Sequence, residues 1–173
     1  MSDFAIIDFE APGLERIACP IEVGVSIWKP GGPIRTWSSL IWRDPDAYWS
    51  VESEAVHHIS RDMLVDAPMP ILVAAELNTL LAPIGNAHCD GYDFDSAWCD
   101  ALYAAAGISA EFLIEPMPNI NFLEAWRIWR YMRKHGDIPH RAGPDAVRLM
   151  KAHAYRINED PAVVDIVKPG GVT

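Results

Sequence analysis

The sequence has few cysteines, and they form no pattern that would build a disulfide framework or a zinc site. Cys19, Cys89 and Cys99 are odd in number and show no CxxC spacing, which predicts small buried thiols in a reducing compartment. No stretch approaches the roughly 18 apolar residues that a membrane-spanning helix needs. The opening Met-Ser-Asp-Phe has neither the basic start nor the apolar run of a signal peptide. We therefore expect a cytoplasmic protein without a membrane partner.

Positive charge is scarce and unevenly distributed. The chain has 14 Lys and Arg against 24 Asp and Glu, a formal net charge of −10, which by itself argues against broad electrostatic binding of nucleic acid. Residues 127–156, however, contain eight of the 14 basic residues and only two acids, so this segment carries +6. Two interpretations stay open: the basic residues solvate an exposed helix face, or they form a phosphate-facing flank beside an acidic site.

Length and composition indicate one globular α/β domain. The chain has 173 residues, of which 50% are hydrophobic and 22% charged, so we take residues 1–173 as a single domain with a loose tail from about residue 161. Apolar patterning predicts strands at 4–9, 20–28, 34–42, 86–89 and 111–114, the first three as an antiparallel meander. It predicts helices at 52–57, 71–82, 120–135 and 144–156, and one capped by Ser96 that runs to Ala106. This order of elements is typical of a mixed sheet.

Two carboxylates end the first predicted strand. Asp8 and Glu10 are two positions apart and therefore project from the same face of a strand, while Ile7 and Phe9 face the core. Neighbouring carboxylates repel each other and need a cation or a proton between them. Oxygen ligands suit Mg²⁺ or Mn²⁺. Alone, such a pair is more typical of a solvated strand end.

Three further residues could join this pair. Asp95 lies between a predicted strand and a predicted helix, where an aspartate commonly caps the helix, but Ser96 could cap it instead and leave Asp95 free. His140 lies on the loop before the last predicted helix, and Asp145 opens that helix. A loop histidine near carboxylates can act as a general base near neutral pH, although most exposed histidines have no such role.

As an ordered set, these residues resemble the DEDDh exonucleases, the histidine-bearing branch of the DnaQ-like superfamily. Asp8-Phe9-Glu10 is similar to the first family motif, and Phe94-Asp95 is similar to the second. His140 followed five residues later by Asp145 is similar to the third. The stretches 20–24 and 55–60 also resemble the family, so the resemblance covers roughly residues 4–156. The chain departs from it at Gly91, where the family usually has asparagine.

The resemblance implies an RNase H-like mixed sheet flanked by helices and a metal-dependent 3′–5′ exonuclease acting on single-stranded DNA or RNA. It implies two ions, Mg²⁺ or Mn²⁺, with Asp8 bridging both. Glu10 and Asp145 would hold one ion, Asp95 the other, and His140 would be the general base. The expected partners are a nucleic acid 3′ end and the nucleoside monophosphate product. A homodimer, the choice between DNA and RNA, and a catalytically silent exonuclease-like binding domain stay open.

Substrate contacts are also implied by the resemblance. Ala11, His57 and Ile59 are expected to contact the terminal nucleotide, although His57 could instead make a helix-end hydrogen bond. Trp126 and Trp129 lie three residues apart on a predicted helix, a spacing that favours core packing. Tryptophans can also stack on bases, and a tryptophan in a polar loop, Trp49, is the better candidate for that role.

Overall fold

The structure, a computed structural model, describes residues 3–15, 18–119, 121–135 and 140–166. Within these ranges the strands are β1 (Phe4–Glu10), β2 (Glu22–Trp28), β3 (Ile34–Leu40), β4 (Asn86–Cys89), β5 (Leu113–Pro116) and β6 (Val163–Asp165). The α-helices are α1 (Val51–His57), α2 (Pro70–Leu81), α3 (Tyr92–Ala106), α4 (Phe122–Lys134) and α5 (Ala142–Tyr155), and Arg61–Leu64 is a short 3-10 helix. None of the described helices has the length and apolar character needed to cross a bilayer.

All six described strands belong to one mixed sheet with the order β5-β4-β1-β2-β3-β6. β1, β2 and β3 form the expected antiparallel meander, whereas β4 runs parallel to β1, β5 parallel to β4, and β6 parallel to β3. The predicted RNase H-like mixed sheet flanked by helices is therefore confirmed. Because β1 and β4 are parallel, their carboxyl ends lie at the same edge of the sheet.

The two faces of β1 pack against different helices. Ile7 belongs to a buried cluster with Leu77 of α2 and Leu102 of α3. Its neighbour Ile6 belongs to a second buried cluster, which contains Met150 of α5. This alternation follows from the two-residue period of a strand. Asp8 and Glu10, which are two and four residues after Ile6, therefore lie on the face of β1 that α5 covers.

The start of α3 differs from the prediction. Ser96 was expected to cap this helix, but α3 begins at Tyr92, and Gly91 occupies the cap position without a side-chain hydrogen bond. The Gly91 carbonyl accepts the first helical bonds, from the N–H groups of Phe94 and Asp95. Ser96 lies within the helix, where its hydroxyl donates to the Tyr92 carbonyl. A backbone cap leaves no side-chain signal in the sequence, so the start was placed about one turn too late.

The tail also differs from the prediction. Instead of loosening at residue 161, the chain adds β6 beside β3, with Ile34 opposite Val163. The Ile34 N–H donates to the Ala162 carbonyl at 2.8 Å, and the Ile166 N–H donates to the Thr36 carbonyl at 2.8 Å. These bonds satisfy the outer edge of β3, which would otherwise present unpaired backbone groups. Residues 167–173 lie outside the described ranges.

The predicted core packing of two tryptophans on α4 is wrong. Trp126 is 43% exposed and Trp129 is 55% exposed, whereas Tyr131 is buried. α4 packs against α5 through the face that contains Glu124 and Tyr131, as the ion pair of Glu124 with Arg156 shows. The helix therefore has one buried face, and both tryptophans lie away from it.

Candidate active site at the ends of β1 and β4

Asp8 and Glu10 project from the α5 side of β1, where α5 brings a third carboxylate. Asp145 lies in the first turn of α5 and is 8% exposed. Oxygens of Asp8, Glu10 and Asp145 all lie within 4.8 Å of one another. We call this group the β1–α5 triad. Its members come from the first strand and the last described helix, so only the folded chain brings them together.

A second group of carboxylates meets the first at Asp8. Oxygens of Asp8, Asp90 and Asp95 also lie within 4.8 Å of one another, and we call this group the β4 triad. Asp95 reaches inward from the first turn of α3 and is 3% exposed. Asp90 follows β4 directly and is exposed. The sequence analysis did not include Asp90; an acid placed just after a strand parallel to β1 was the available signal.

Four carboxylates of this centre, Asp8, Glu10, Asp95 and Asp145, have a raised pKa. Burial, followed by the charges of neighbouring carboxylates, raises the pKa of Asp8 well above its usual value. Burial and the nearby Glu22 and Asp145 raise the pKa of Glu10 to about 8. Burial and Asp90 raise the pKa of Asp95 to about 7. Repulsion of this kind is relieved by protons or by cations, so the centre favours bound positive charge.

Asp145 provides an independent sign that a cation fits here. One carboxylate oxygen, Oδ2, accepts the N–H of Arg141 at 3.1 Å. The other, Oδ1, is buried and has no hydrogen-bond partner among the described residues. A buried oxygen without a partner is costly, and an oxygen-liganded ion such as Mg²⁺ or Mn²⁺ would satisfy it. The donor set of both triads consists of carboxylates only, which suits these hard cations.

A buried glutamate fixes the amino end of α5 beside the triad. Glu22 is 4% exposed and accepts hydrogen bonds from the Arg141 guanidinium at 2.6, 3.0 and 3.2 Å. Its carboxylate also accepts the Ala142 N–H at 2.9 Å. A forked guanidinium–carboxylate pair of this kind is strong and directional. Glu22 therefore anchors the helix that carries Asp145, a role that the sequence analysis did not assign.

Gly24 allows α5 to approach the sheet. It lies opposite Asp8 in the β1–β2 pair. A Cβ at Gly24 would lie 2.1 Å from the Ala142 carbonyl oxygen and 2.3 Å from the Gly143 nitrogen. These are backbone atoms and cannot rotate away, so a side chain at this position would displace the amino end of α5. The position of Asp145 over β1 thus depends on the absence of a side chain at residue 24.

We expect Gly24→Ala to weaken Mn²⁺ binding and to lower the free energy of unfolding by about 1–3 kcal/mol, the usual cost of overpacking. Isothermal titration with Mn²⁺ and thermal melting of both proteins would measure the two effects. Gly32→Ala is the matched control, because a Cβ there meets only one atom, at 3.4 Å. Mn²⁺ binding by Gly24→Ala equal to that of Gly32→Ala would contradict the proposed dependence.

His140 lies immediately before Arg141 and is exposed. Its φ of 48° is left-handed, a conformation that non-glycine residues adopt infrequently and that concentrates at functional sites. The pKa of Asp145 is raised by burial, while the Arg141 N–H and the neighbouring His140 act to lower it. The structure therefore places His140 beside the β1–α5 triad with its side chain open to solvent.

A cleft of about 380 Å³ begins at Glu10 and separates β1 from α1. Ala11, His57 and Trp98 line it. Within the buried His57 ring, Nδ1 accepts the Ile59 N–H at 3.0 Å, and Nε2 has no hydrogen-bond partner among the described residues. The Ile59 side chain is fully buried in a separate cluster and does not line the cleft. Of the three expected substrate contacts, the structure thus brings Ala11 and His57 to the cleft, whereas Ile59 supports His57.

The described chain has the fold of RNase H-like exonucleases. Exonuclease I of E. coli in complex with a dA16 oligonucleotide is similar to it with a TM-score of 0.66 and 11% identity, over 88% of this chain and 40% of that chain. The apo form of Exonuclease I gives a TM-score of 0.67 and 12% identity, over 91% and 42%. The zinc ion bound form of the E. coli complex with single-stranded DNA gives 0.64 and 12%, over 88% and 40%.

The structural similarity to Exonuclease I is partial in length and low in sequence identity. The chain spans about two fifths of the length of these Exonuclease I structures. At 11–12% identity, the likeness shows a shared fold. No protein-family model and no curated protein matches the chain. Any assignment of activity therefore depends on the residues of the site.

Proposed function

We propose that this chain is a metal-dependent 3′–5′ exonuclease of the DEDDh type that hydrolyses terminal phosphodiester bonds of single-stranded DNA or RNA. One observation carries the proposal: two carboxylate triads share Asp8 at the edge where β1 and β4 end. That arrangement suits two divalent ions a few ångströms apart, which is the geometry that enzymes use for in-line phosphodiester displacement. The Exonuclease I fold supports the same conclusion.

Such a reaction needs metal ligands, a general base and residues that hold them in position, and the chain has candidates for each. Asp8, Glu10 and Asp145 would hold one Mg²⁺ or Mn²⁺, and Asp8, Asp90 and Asp95 would hold the other. When bound, these ions stabilise the negative charge that develops on the attacking and leaving oxygens. His140, exposed beside Asp145, accepts the proton of the attacking water. Arg141 and Glu22 keep the amino end of α5, and with it Asp145 and His140, in place.

The cleft next to Glu10 would receive the terminal nucleotide. Its lining combines apolar surface at Ala11 and Trp98 with polar side chains that include Tyr48, Ser50 and Ser53, which suits a base and a sugar. Burial lowers the pKa of His57, which favours the neutral ring. Because Nδ1 accepts the Ile59 N–H, the proton of the neutral ring is on Nε2, which can donate one hydrogen bond. Its volume of about 380 Å³ is at the lower end of the range for small-ligand clefts and suits a single terminal nucleotide, which favours attack at a chain end.

We expect the protein, with Mn²⁺, to shorten linear single strands stepwise from the 3′ end and to leave circular single strands intact. The assay uses linear DNA and RNA labelled at the 5′ end, with products resolved by length, and the matching circles as controls. The released product should be a nucleoside monophosphate. Efficient cutting of circles would contradict the chain-end proposal. Binding of linear strands without cleavage would instead support a catalytically silent exonuclease-like domain.

A further inference from the structure

The solvent face of α4 carries three exposed aromatic rings in one row. Phe122 is 87% exposed, Trp126 is 43% exposed and Trp129 is 55% exposed. Their spacing of four and three residues aligns them along one face of the helix. Grouped aromatic side chains on the surface of a domain commonly mark a binding surface, because their exposure is unfavourable unless a partner covers them.

Arginine side chains alternate with these rings. The Arg130 guanidinium lies 5.4 Å from the centre of the Trp126 ring, and that of Arg133 lies 5.2 Å from the centre of the Trp129 ring. We call this row the α4 stripe: Phe122, Trp126, Trp129, Arg130 and Arg133. Stacking of this type orders the arginines while leaving their N–H donors free for phosphate.

The α4 stripe is positively charged, because it contains two arginines and no acidic residue. The one acidic residue of α4, Glu124, pairs with Arg156 of α5 at 3.0 Å and faces away from the stripe. Arg127 donates to the Arg156 carbonyl at 2.8 Å on that same inner side. In a chain with a net charge of −10, a face of arginines and aromatic rings is complementary to a polyanion with flat bases.

Two acids of the turn after α5 lie close to the stripe. A groove of about 410 Å³ beside the helix is lined by Trp126 and Arg130 on one side and by Glu159 and Asp160 on the other. The two acids disfavour a phosphate backbone inside the groove. The exposed rings themselves are therefore the better platform, with phosphates on the Arg130 and Arg133 side.

The α4 stripe lies within reach of the candidate active site. Glu124, Arg127 and Tyr131 of α4 all contact Tyr155 or Arg156, so α4 crosses the carboxyl end of α5. Lys134 precedes His140 by six residues, so the two lie at most roughly 20 Å apart. A strand whose 3′ end occupies the centre could reach the stripe with its next few nucleotides.

We propose that the α4 stripe binds the single strand a few nucleotides upstream of its 3′ end, by stacking of bases on Trp126 and Trp129 and by phosphate contacts of Arg130 and Arg133. The inference rests on the proposed exonuclease function and adds the surface that holds the body of the substrate. The basic segment noted in the sequence is, on this assignment, a phosphate-facing flank.

The test compares substrates that do and do not reach the stripe. The variant is Trp126→Ala with Trp129→Ala, and binding of labelled 12-nucleotide single strands is measured by fluorescence anisotropy with Ca²⁺ in place of Mn²⁺. We expect about 10-fold to 100-fold weaker binding, because loss of base stacking on an aromatic ring has effects of this order. Cleavage of a dinucleotide with Mn²⁺ should match that of the parent protein, because a dinucleotide occupies only the centre and the cleft.

Matched controls show whether the weaker strand binding is specific to the α4 stripe or follows from removing any exposed side chain. Leu72→Ala removes an exposed apolar side chain from α2, and Arg35→Ala removes an exposed arginine from β3; both should bind like the parent. Arg130→Ala with Arg133→Ala should weaken binding and reduce its salt dependence. Circular dichroism checks that every variant keeps its helix content, which we expect because the substituted side chains are exposed.

Three outcomes would overturn the proposal. In the first, the tryptophan variant binds 12-nucleotide strands as tightly as the parent does. In the second, the variant loses dinucleotide cleavage to the same extent as strand binding, so that the stripe acts on the centre itself. In the third, light scattering shows a parental dimer that the variant converts to monomer, which would assign the stripe to a second copy of the chain. A parent that cleaves neither dinucleotides nor longer strands would count against the proposed exonuclease function instead.

Discussion

Replacement of His140 by alanine is expected to lower turnover by about 10²–10⁴-fold while leaving Mn²⁺ affinity unchanged. This range is the usual effect of removing a general base. Metal affinity should persist because His140 belongs to neither carboxylate triad, whereas Asp145→Asn should weaken it by altering a direct ligand. The measurement pairs turnover across pH 6 to 9 with Mn²⁺ titration for both variants.

His58→Ala is the control for this experiment. His58 is also exposed and also has a left-handed backbone, with φ of 57°, so the change imposes similar backbone strain away from the triads. It should retain parental turnover. If His140→Ala cleaves as fast as the parent across the whole range, the histidine is not the base and its assignment as catalytic has to be withdrawn.

The second large effect is expected from Glu10→Gln. The variant should lose roughly 10³-fold in turnover, since a metal ligand contributes to charge stabilisation worth several kcal/mol. At the same time, the metal-free variant should melt at a higher temperature than the metal-free parent at pH 8. The reason is that burial, followed by the charges of Glu22 and Asp145, raises the pKa of Glu10 to about 8 and makes its ionised form unfavourable in the folded state.

The direction of the pH effect follows from proton binding. Because the pKa of Glu10 and of Asp95 are higher in the folded chain than in the unfolded chain, the folded state binds more protons between about pH 5 and 8. The stability of the metal-free parent should therefore fall as pH rises through this interval. Glu10→Gln should show a smaller fall. Melting temperatures at pH 5, 6.5 and 8, with and without Mn²⁺, measure the difference.

Glu111→Gln provides the control for the charge change, since Glu111 is exposed and precedes the amino end of β5, whereas Asp90 follows the carboxyl end of the parallel strand β4. It should melt like the parent at every pH and keep its turnover. Mn²⁺ should stabilise the parent more than Glu10→Gln, and more at pH 8 than at pH 6.5, because ions and protons compete for the same carboxylates. A metal-free Glu10→Gln variant that melts below the parent at pH 8 would contradict the proposed repulsion.

The strands could be predicted from the sequence more fully than the helix ends. The alternation of apolar residues in β1 and β2 specifies strands, and the short connections specify the meander that the structure confirms. The start of α3 was missed because its cap is the backbone of Gly91. β6 was missed because a three-residue edge strand has too little pattern, and only its pairing with β3 defines it.

The sequence predicted the strand face on which a side chain lies better than it predicted which residues of other elements lie near that side chain. The spacing of Asp8 and Glu10 correctly placed both on one face of β1, and the structure brings Asp95 and Asp145 to the same place. Asp90 was missed because it lies near Asp8 only if β4 runs parallel to β1, and the sequence alone does not specify that pairing. Trp126 and Trp129 were assigned to the core because aromatic spacing alone cannot show which face of a helix another helix covers.

The β1–α5 triad also has a consequence for protein synthesis. Asp8 and Glu10 emerge from the ribosome early, but Asp145 emerges only after five of the six described strands, and it is positioned only once α5 docks on Gly24. A nascent chain that does not yet include residue 145 therefore lacks the complete triad. On the proposed function, hydrolytic capacity would appear only once α5 has docked.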